Sequence, residues 1–339
     1  MSAVAQPDGG LLVGVDVGGS KIAVLVTDAR FTVRARYTLP AEVGAPERAV
    51  DVIGAAIGAA LGDAGTDMRA VAAVGVGVPG RVDPLAGSVS QAVNLGWYDL
   101  PLGPRLSGAL GVPVSLENDV RAGALGLRER RVLGDVEDFA YLSIGTGIAA
   151  GVVLDGRLHR GPRGMAGEIG HIVVDANGPA CPCGLRGCLE TLAAGPAIAR
   201  RAMEALAADA RSSLAGVDPL DAADVYEAAA AGDPLAVRVA DEVGAMLARA
   251  IHLLVMTYDI EVVAVGGGVA RAGEAFLDPL LRALDRMREA SPLARQVLRS
   301  GVVHVLPAAD TGAWGAIALA WSAAAAATPT VIGTEVGDG

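Results

Sequence analysis

The sequence predicts an α/β fold made of two related halves. Three observations carry this: apolar runs closed by glycine turns, Ala-rich helical stretches between them, and a pattern at residues 11–28 that starts again at 139–156. A chain of 339 residues is ample for two domains, each with a buried core.

The first segment, LLVGVDVGGSKIAVLVTD (11–28), is two β-rich runs joined at a glycine pair and reads as a hairpin. A third strand is expected at 32–39 and a helix over 46–65, opened by Pro46 and closed by Gly65. VAAVGVGVPG (71–80) is a continuous apolar run ended by Pro and Gly, the pattern of a strand buried on both faces. VPVSLEND (112–119) reads as another strand, and it runs straight into an Ala-rich helix.

FAYLSIGTGIAAGVVLDG (139–156) opens the second half. Setting Val17-Gly18-Gly19-Ser20 against Ile144-Gly145-Thr146-Gly147, 127 residues on, carries Leu25–Asp28 onto Val152–Asp155. The match is of pattern more than identity. An Ala-rich helical region at 193–256, broken near 212–220, leads to the strand and glycine turn of IEVVAVGGGVA (260–270), then a helix at 273–290 and a strand at 301–306. The stretch 311–333 carries no charge and is long enough to span a bilayer, but alanine makes insertion weak, so a buried helix over 312–328 is expected. Residues 1–10 and 329–339 read as flexible ends.

The net charge of −11, with 27 basic residues spread along the chain, argues against a nucleic-acid partner. MSAVAQPDGG carries no basic stretch followed by an apolar signal core, so a cytoplasmic protein is expected, with no membrane partner.

DVGGSK (16–21), GTG (145–147) and GGG (266–268) end apolar strands. Each can be a tight turn and nothing more. Turns at strand ends also offer backbone N–H groups to an anion, so all three are phosphate candidates. Neither G-x-x-x-x-G-K-[ST] nor G-x-G-x-x-G occurs at them. Asp16, followed closely by Ser20 and Lys21, suits a strand-end hydrogen bond or a site for Mg²⁺ beside phosphates.

LENDVRAGALG places Glu117, Asn118 and Asp119 where a strand passes into a helix. Asn and Asp are good N-caps; the carboxyl end of a buried strand is also where α/β proteins bind ligands. An aspartate there can accept the proton of a hydroxyl that attacks a γ-phosphate.

All three cysteines fall in CPCGLRGC (181–188), and with His171 they give H-x9-C-x-C-x4-C. One imidazole and three thiolates satisfy tetrahedral Zn²⁺ with no position open, so the metal is expected to be structural. Reducing conditions favour metal over disulfide, and inert cysteines would scatter. Glu168 precedes the His ligand by three residues and Glu190 follows the last Cys by two. Both are either solvated loop charges or carboxylates fixed to accept hydrogen bonds from a polyol.

Together, DVGGSK, LENDVRAGALG, SIGTGIAAG, GEIGH and CPCGLRGCLE resemble the ROK family (repressor, open reading frame, kinase) of bacterial sugar kinases, most closely its ATP-dependent glucokinases. The resemblance runs from about residue 11 to 328, with the motifs in the family's order. It implies a duplicated actin-like, ribonuclease-H-like fold of two domains with ATP in an interdomain cleft. The small domain would comprise 11–118 and 312–328, the large one 119–311 with a zinc-binding loop at 171–188.

By the same resemblance Asp119 is the general base for the sugar's 6-hydroxyl and Asn118 a sugar ligand, with Glu168, His171 and Glu190 as further sugar contacts. Gly18, Gly19, Thr146 and Gly147 correspond to phosphate loops, and Gly266, Gly267 and Gly268 to part of the nucleotide site. Homodimers or homotetramers are implied as well. Ala149 and Ala150 stand where the family often has glycine, which leaves the backbone less free beside the second phosphate loop. The expected function is phosphorylation of glucose at O6 by ATP with Mg²⁺. Kinases of N-acetylmannosamine, N-acetylglucosamine and fructose share much of the motif set. Sugar-responsive repressors of the family carry a helix-turn-helix domain before the first glycine turn, where this sequence has ten residues before its first strand; a non-catalytic sensor would have no need of Asp119.

Overall fold

The computed structural model describes residues 10–19, 21–40, 46–208, 211–306 and 311–327. Ser20 and, Gly10 apart, the expected flexible ends lie outside the described residues.

Strands Leu11–Val17 (β1) and Lys21–Thr27 (β2) pair antiparallel across the first glycine turn, Val17 opposite Ile22. Val33–Pro40 (β3) extends the sheet on the far side of β2. Helix Ala49–Asp63 (α1) then returns the chain to Val71–Val78 (β4), parallel to β1 and buried along nearly its whole length. Three short strands, Arg81–Asp83 (β5), Ser88–Ala92 (β6) and Trp97–Leu100 (β7), form a small separate sheet. Helix Leu102–Leu110 (α2) leads to Val114–Asn118 (β8), parallel to β4, and Asp119–Glu129 (α3) follows without a gap. The sheet order is β3-β2-β1-β4-β8.

The second half repeats the plan. Phe139–Ile144 (β9), Ile148–Leu154 (β10) and Arg157–His159 (β11) make an antiparallel meander. A long irregular segment ends in the short helix Glu190–Ala193 (α4), then Gly195–Ala208 (α5), Ala222–Ala230 (α6) and Pro234–Tyr258 (α7). Val262–Gly266 (β12) lies parallel to β9; helices Glu274–Ala290 (α8) and Pro292–Val297 (α9) precede Val303–Val305 (β13), parallel to β12. The order β11-β10-β9-β12-β13 matches the first sheet position by position and sense by sense. That repeat is the duplicated actin-like architecture.

Alternation along the strands gives the first sheet two apolar faces. Val13, Val15, Val24 and Val26 face α1 and α2, while Leu12, Leu25 and Ala73 meet the final helix, Thr311–Ala327 (α10). The Ala-rich tail is therefore a buried helix, and among the described residues no helix is long and apolar enough to cross a membrane. A core of its own fills the second half, built from β9, β10, β12 and helices α5 to α8.

Two compact units result: residues up to Arg130 and from 310 onward, and Arg131–Ala309. The first compact unit thus runs through α3 to Arg130, where a boundary after residue 118 was expected. The cause is close packing of α3 on α10. A methyl on Gly126 would lie 2.6 Å from Gly315 N, and one on Gly315 would strike the Ala122 carbonyl, so only hydrogen lets the two backbones meet there. At the end of α3 the Arg130 guanidinium sits 4.3 Å from the Trp314 ring centroid, a cation–π contact.

Candidate active site and metal cluster

In the first unit the polar residues gather at the carboxyl ends of β1, β4 and β8. Asn118 is the N-cap of α3: its side-chain oxygen accepts from the Val120 and Arg121 amides, each at 3.1 Å. Its Nδ2 donates to the Gly80 carbonyl at 3.1 Å and to Asp119 Oδ1 at 3.0 Å. Asp119 Oδ1 also accepts from the Val120 amide at 2.9 Å, so the first residue of the helix has an oriented, partly exposed carboxylate. Of the two roles the sequence left open, the cap is made by Asn118, and it leaves the Asp119 carboxylate partly exposed. A methyl on Gly77 would lie 3.4 Å from Asp119 Cα and 3.8 Å from Asp16 Oδ1, so the two aspartates flank the end of β4.

Asp16 also abuts the start of α10, where a methyl on Gly312 would lie 2.7 Å from its Oδ1. A helix N-terminus is a favourable place for a carboxylate or for an anion that shares the site. Gly18 donates its amide to the Lys21 carbonyl at 2.8 Å to close the turn; Gly19 follows it, and Lys21 is exposed at the head of β2. Beneath Asn118 lies an ion pair: Glu117 accepts the Asn118 amide at 2.9 Å and sits 3.4 Å from Arg121 Nε, both side chains buried.

In the second unit a cavity of about 710 Å³ opens beside the Gly145-Thr146-Gly147 turn. Of the expected nucleotide residues, Thr146 and Gly268 line it, together with Gly195 at the start of α5, Tyr226 and Glu227 of α6, and Arg271. Gly266 is buried at the end of β12, and Gly267 follows it in the turn that leads to Gly268. Gly267 has φ +92°, and a methyl there would lie 2.6 Å from Ile144 N, so both backbone conformation and space require glycine. Gly147 faces Glu190, whose Oε2 accepts the Ile148 amide at 3.0 Å.

His171 and the three cysteines converge. Their ligand atoms all lie within 4.8 Å of one another, with Cys181 Sγ 3.6 Å from His171 Nδ1 and Cys183 Sγ 3.6 Å from Cys188 Sγ. Tetrahedral Zn²⁺ with bonds of about 2.3 Å to sulfur and about 2.0 Å to nitrogen sets such ligands roughly 3.6–3.8 Å apart, so the donor set and its spacing fit zinc. Burial pushes the Cys188 thiol up to about 12, while a hydrogen bond from the Leu185 backbone holds Cys183 below the usual thiol range. Around the cluster regular structure is sparse: a short helical turn at Ile169–His171 and isolated bridges Val173–Cys188 and Ala180–Arg186. Glu168 precedes that turn, half-buried, its carbonyl accepting the His171 amide.

Sequence reasoning missed the contribution of α6 to the cavity, because Asp221, Tyr226 and Glu227 have no local motif. It also missed the link from Glu190 to the glycine turn, which spans 42 positions.

Residues 12–323 match the ROK family. A glucokinase of Halalkalibacterium halodurans is 34% identical over 276 residues, 79% of this chain and 83% of that protein. The crystal structure of a ROK family glucokinase from Streptomyces griseus in complex with glucose and AMPPNP superposes with a TM-score of 0.77 at 33% identity, covering 92% of this chain and 99% of that one. A xylose repressor of Caldicellulosiruptor bescii is 28% identical over 283 residues, 82% of this chain and 71% of the repressor.

Proposed function

The chain belongs to the ROK family, and from that premise we propose that it is an ATP-dependent hexose kinase that phosphorylates glucose at the 6-hydroxyl. The observation that carries this reading is the Asn118–Asp119 pair: a carboxylate held by a neighbouring amide and a helix N–H at the end of a buried strand.

Phosphoryl transfer needs positioning and charge stabilisation more than covalent chemistry. Asp119 orients the 6-hydroxyl and accepts its proton as the oxygen attacks the γ-phosphorus. Asn118 fixes the Asp119 carboxylate and contacts the sugar. Glu168, His171 and Glu190 accept or donate hydrogen bonds to the remaining hydroxyls; with Nδ1 of His171 turned to the thiols, Nε2 serves the sugar. Thr146 and Gly268, which line the cavity, border the nucleotide, with the space between α5 and α6 taking its base; Gly147 and, by the family resemblance, Gly18, Gly19, Ser20 and Lys21 serve the phosphates. A magnesium ion would be held by Asp16 and supplies charge neutralisation at the phosphates. Zinc on His171, Cys181, Cys183 and Cys188 supplies rigidity to the loop that presents Glu168 and Glu190. No nucleic acid or membrane has a part, and the protein acts in the cytoplasm.

A coupled assay of ADP release tests the reading across glucose, fructose, N-acetylmannosamine and N-acetylglucosamine. Glucose is expected to give the highest kcat/KM. A higher value for an N-acetylhexosamine would move the substrate but keep the reaction. Sugar binding with no ADP release from any of them would favour the regulator that the xylose repressor likeness suggests.

A further inference from the structure

The segment that leaves the metal cluster returns to the Gly145-Thr146-Gly147 turn twice. Cys188 Sγ lies 3.4 Å from the His171 carbonyl oxygen, and Val173 bridges to Cys188, which anchors this segment on the cluster. Two residues on, Glu190 opens α4 and its Oε2 accepts the Ile148 amide at 3.0 Å, just after the turn. Past α4, the Gly195 amide donates to the Gly145 carbonyl at 2.8 Å, at the turn's first residue. The turn closes on itself through Gly145 N to Gly147 O at 2.9 Å.

Little slack surrounds this arrangement. A methyl on Gly147 would lie 2.5 Å from Glu190 Oε2, and one on Gly170 would lie 3.4 Å from Glu190 Cβ. Gly145, Thr146 and Gly195 all line the 710 Å³ cavity. One carboxylate oxygen is thus committed to backbone on the nucleotide side of the second unit, which a residue serving only as a sugar contact would not require.

Resting on the kinase reading, we infer that Glu190 is a positioning residue for the nucleotide turn, holding Thr146 and Gly147 in place from the metal cluster. Zinc then supports nucleotide binding as well as sugar binding, although it touches no phosphate.

The test is ADP affinity measured by calorimetry on the zinc-loaded full chain with no sugar present. Glu190→Ala is expected to weaken ADP binding by about tenfold, the scale of one lost hydrogen bond. Glu190→Gln, whose amide oxygen can still accept from Ile148 N–H, is expected to bind ADP nearly as well as the unaltered chain. Equal affinity in Glu190→Ala and the unaltered chain overturns the inference and leaves the kinase reading standing, as does a Gln variant as weak as Ala, since charge alone would then be responsible. An unaltered chain that fails to bind ADP overturns both. Should Glu190→Ala not fold, Glu190→Asp makes the same comparison, its carboxylate withdrawn by one methylene.

Discussion

Arg121 Nε lies 3.4 Å from Glu117 Oε1, with Glu117 fully shielded from water and Arg121 only 2% exposed. The pair brackets Asn118 and Asp119 and ties the last residues of β8 to the first turn of α3. Removing one buried charge strands the other in a low dielectric, which costs more than the intact pair contributes. Arg121→Met is expected to destabilise the chain by about 3–5 kcal/mol in urea unfolding. A loss below about 1 kcal/mol, the scale of a surface pair, would show that the pair is not the brace described.

Asp233 caps α7, Oδ1 accepting from the Leu235 and Ala236 amides, while Oδ2 accepts from Ser212 and Ser213. Partial burial pushes its carboxyl up, but these hydrogen bonds outweigh that and hold it well below the usual carboxylate range. A depressed folded value means the stabilisation is fully present above the unfolded pKa of about 3.9 and is lost as pH falls below it. Asp233→Ala should therefore cost about 1–2 kcal/mol at neutral pH and make the stability curve flatter below about pH 4. An unchanged acid limb in thermal melts would mean that other carboxylates set it.

Metal removal should act on both stability and sugar binding. Elemental analysis is expected to find one zinc per chain, lost in Cys188→Ser, which removes a buried thiol of the cluster. Because site formation is coupled to folding, that variant should melt at lower temperature and bind glucose more weakly. Normal sugar affinity after complete, verified zinc removal would contradict the bracing role.

Much of this architecture can be read from local pattern. Gly18 and Gly19 separate two β-rich runs, and that alone places β1 and β2; Val71–Val78 is apolar throughout because α1 and α2 cover one face of its sheet and α10 the other. Three thiols within eight positions announce the metal cluster. What is hidden depends on distant partners. The unit boundary is set by Gly126 against Gly315, almost two hundred positions away, and no window of sequence records that contact. β5 to β7 have three to five residues each, too short to establish a period. The cavity combines Thr146, Tyr226 and Gly268, which only the fold brings together.

Asp119 is the residue on which the proposed proton transfer depends. Steady-state ADP release with glucose, compared between the unaltered chain and Asp119→Asn, tests it directly. Asparagine keeps the shape and the acceptor for the Val120 amide but cannot take the proton, so kcat is expected to fall by about 10²-fold or more while the KM values for glucose and ATP change little. Turnover of Asp119→Asn equal to that of the unaltered chain would contradict the assignment.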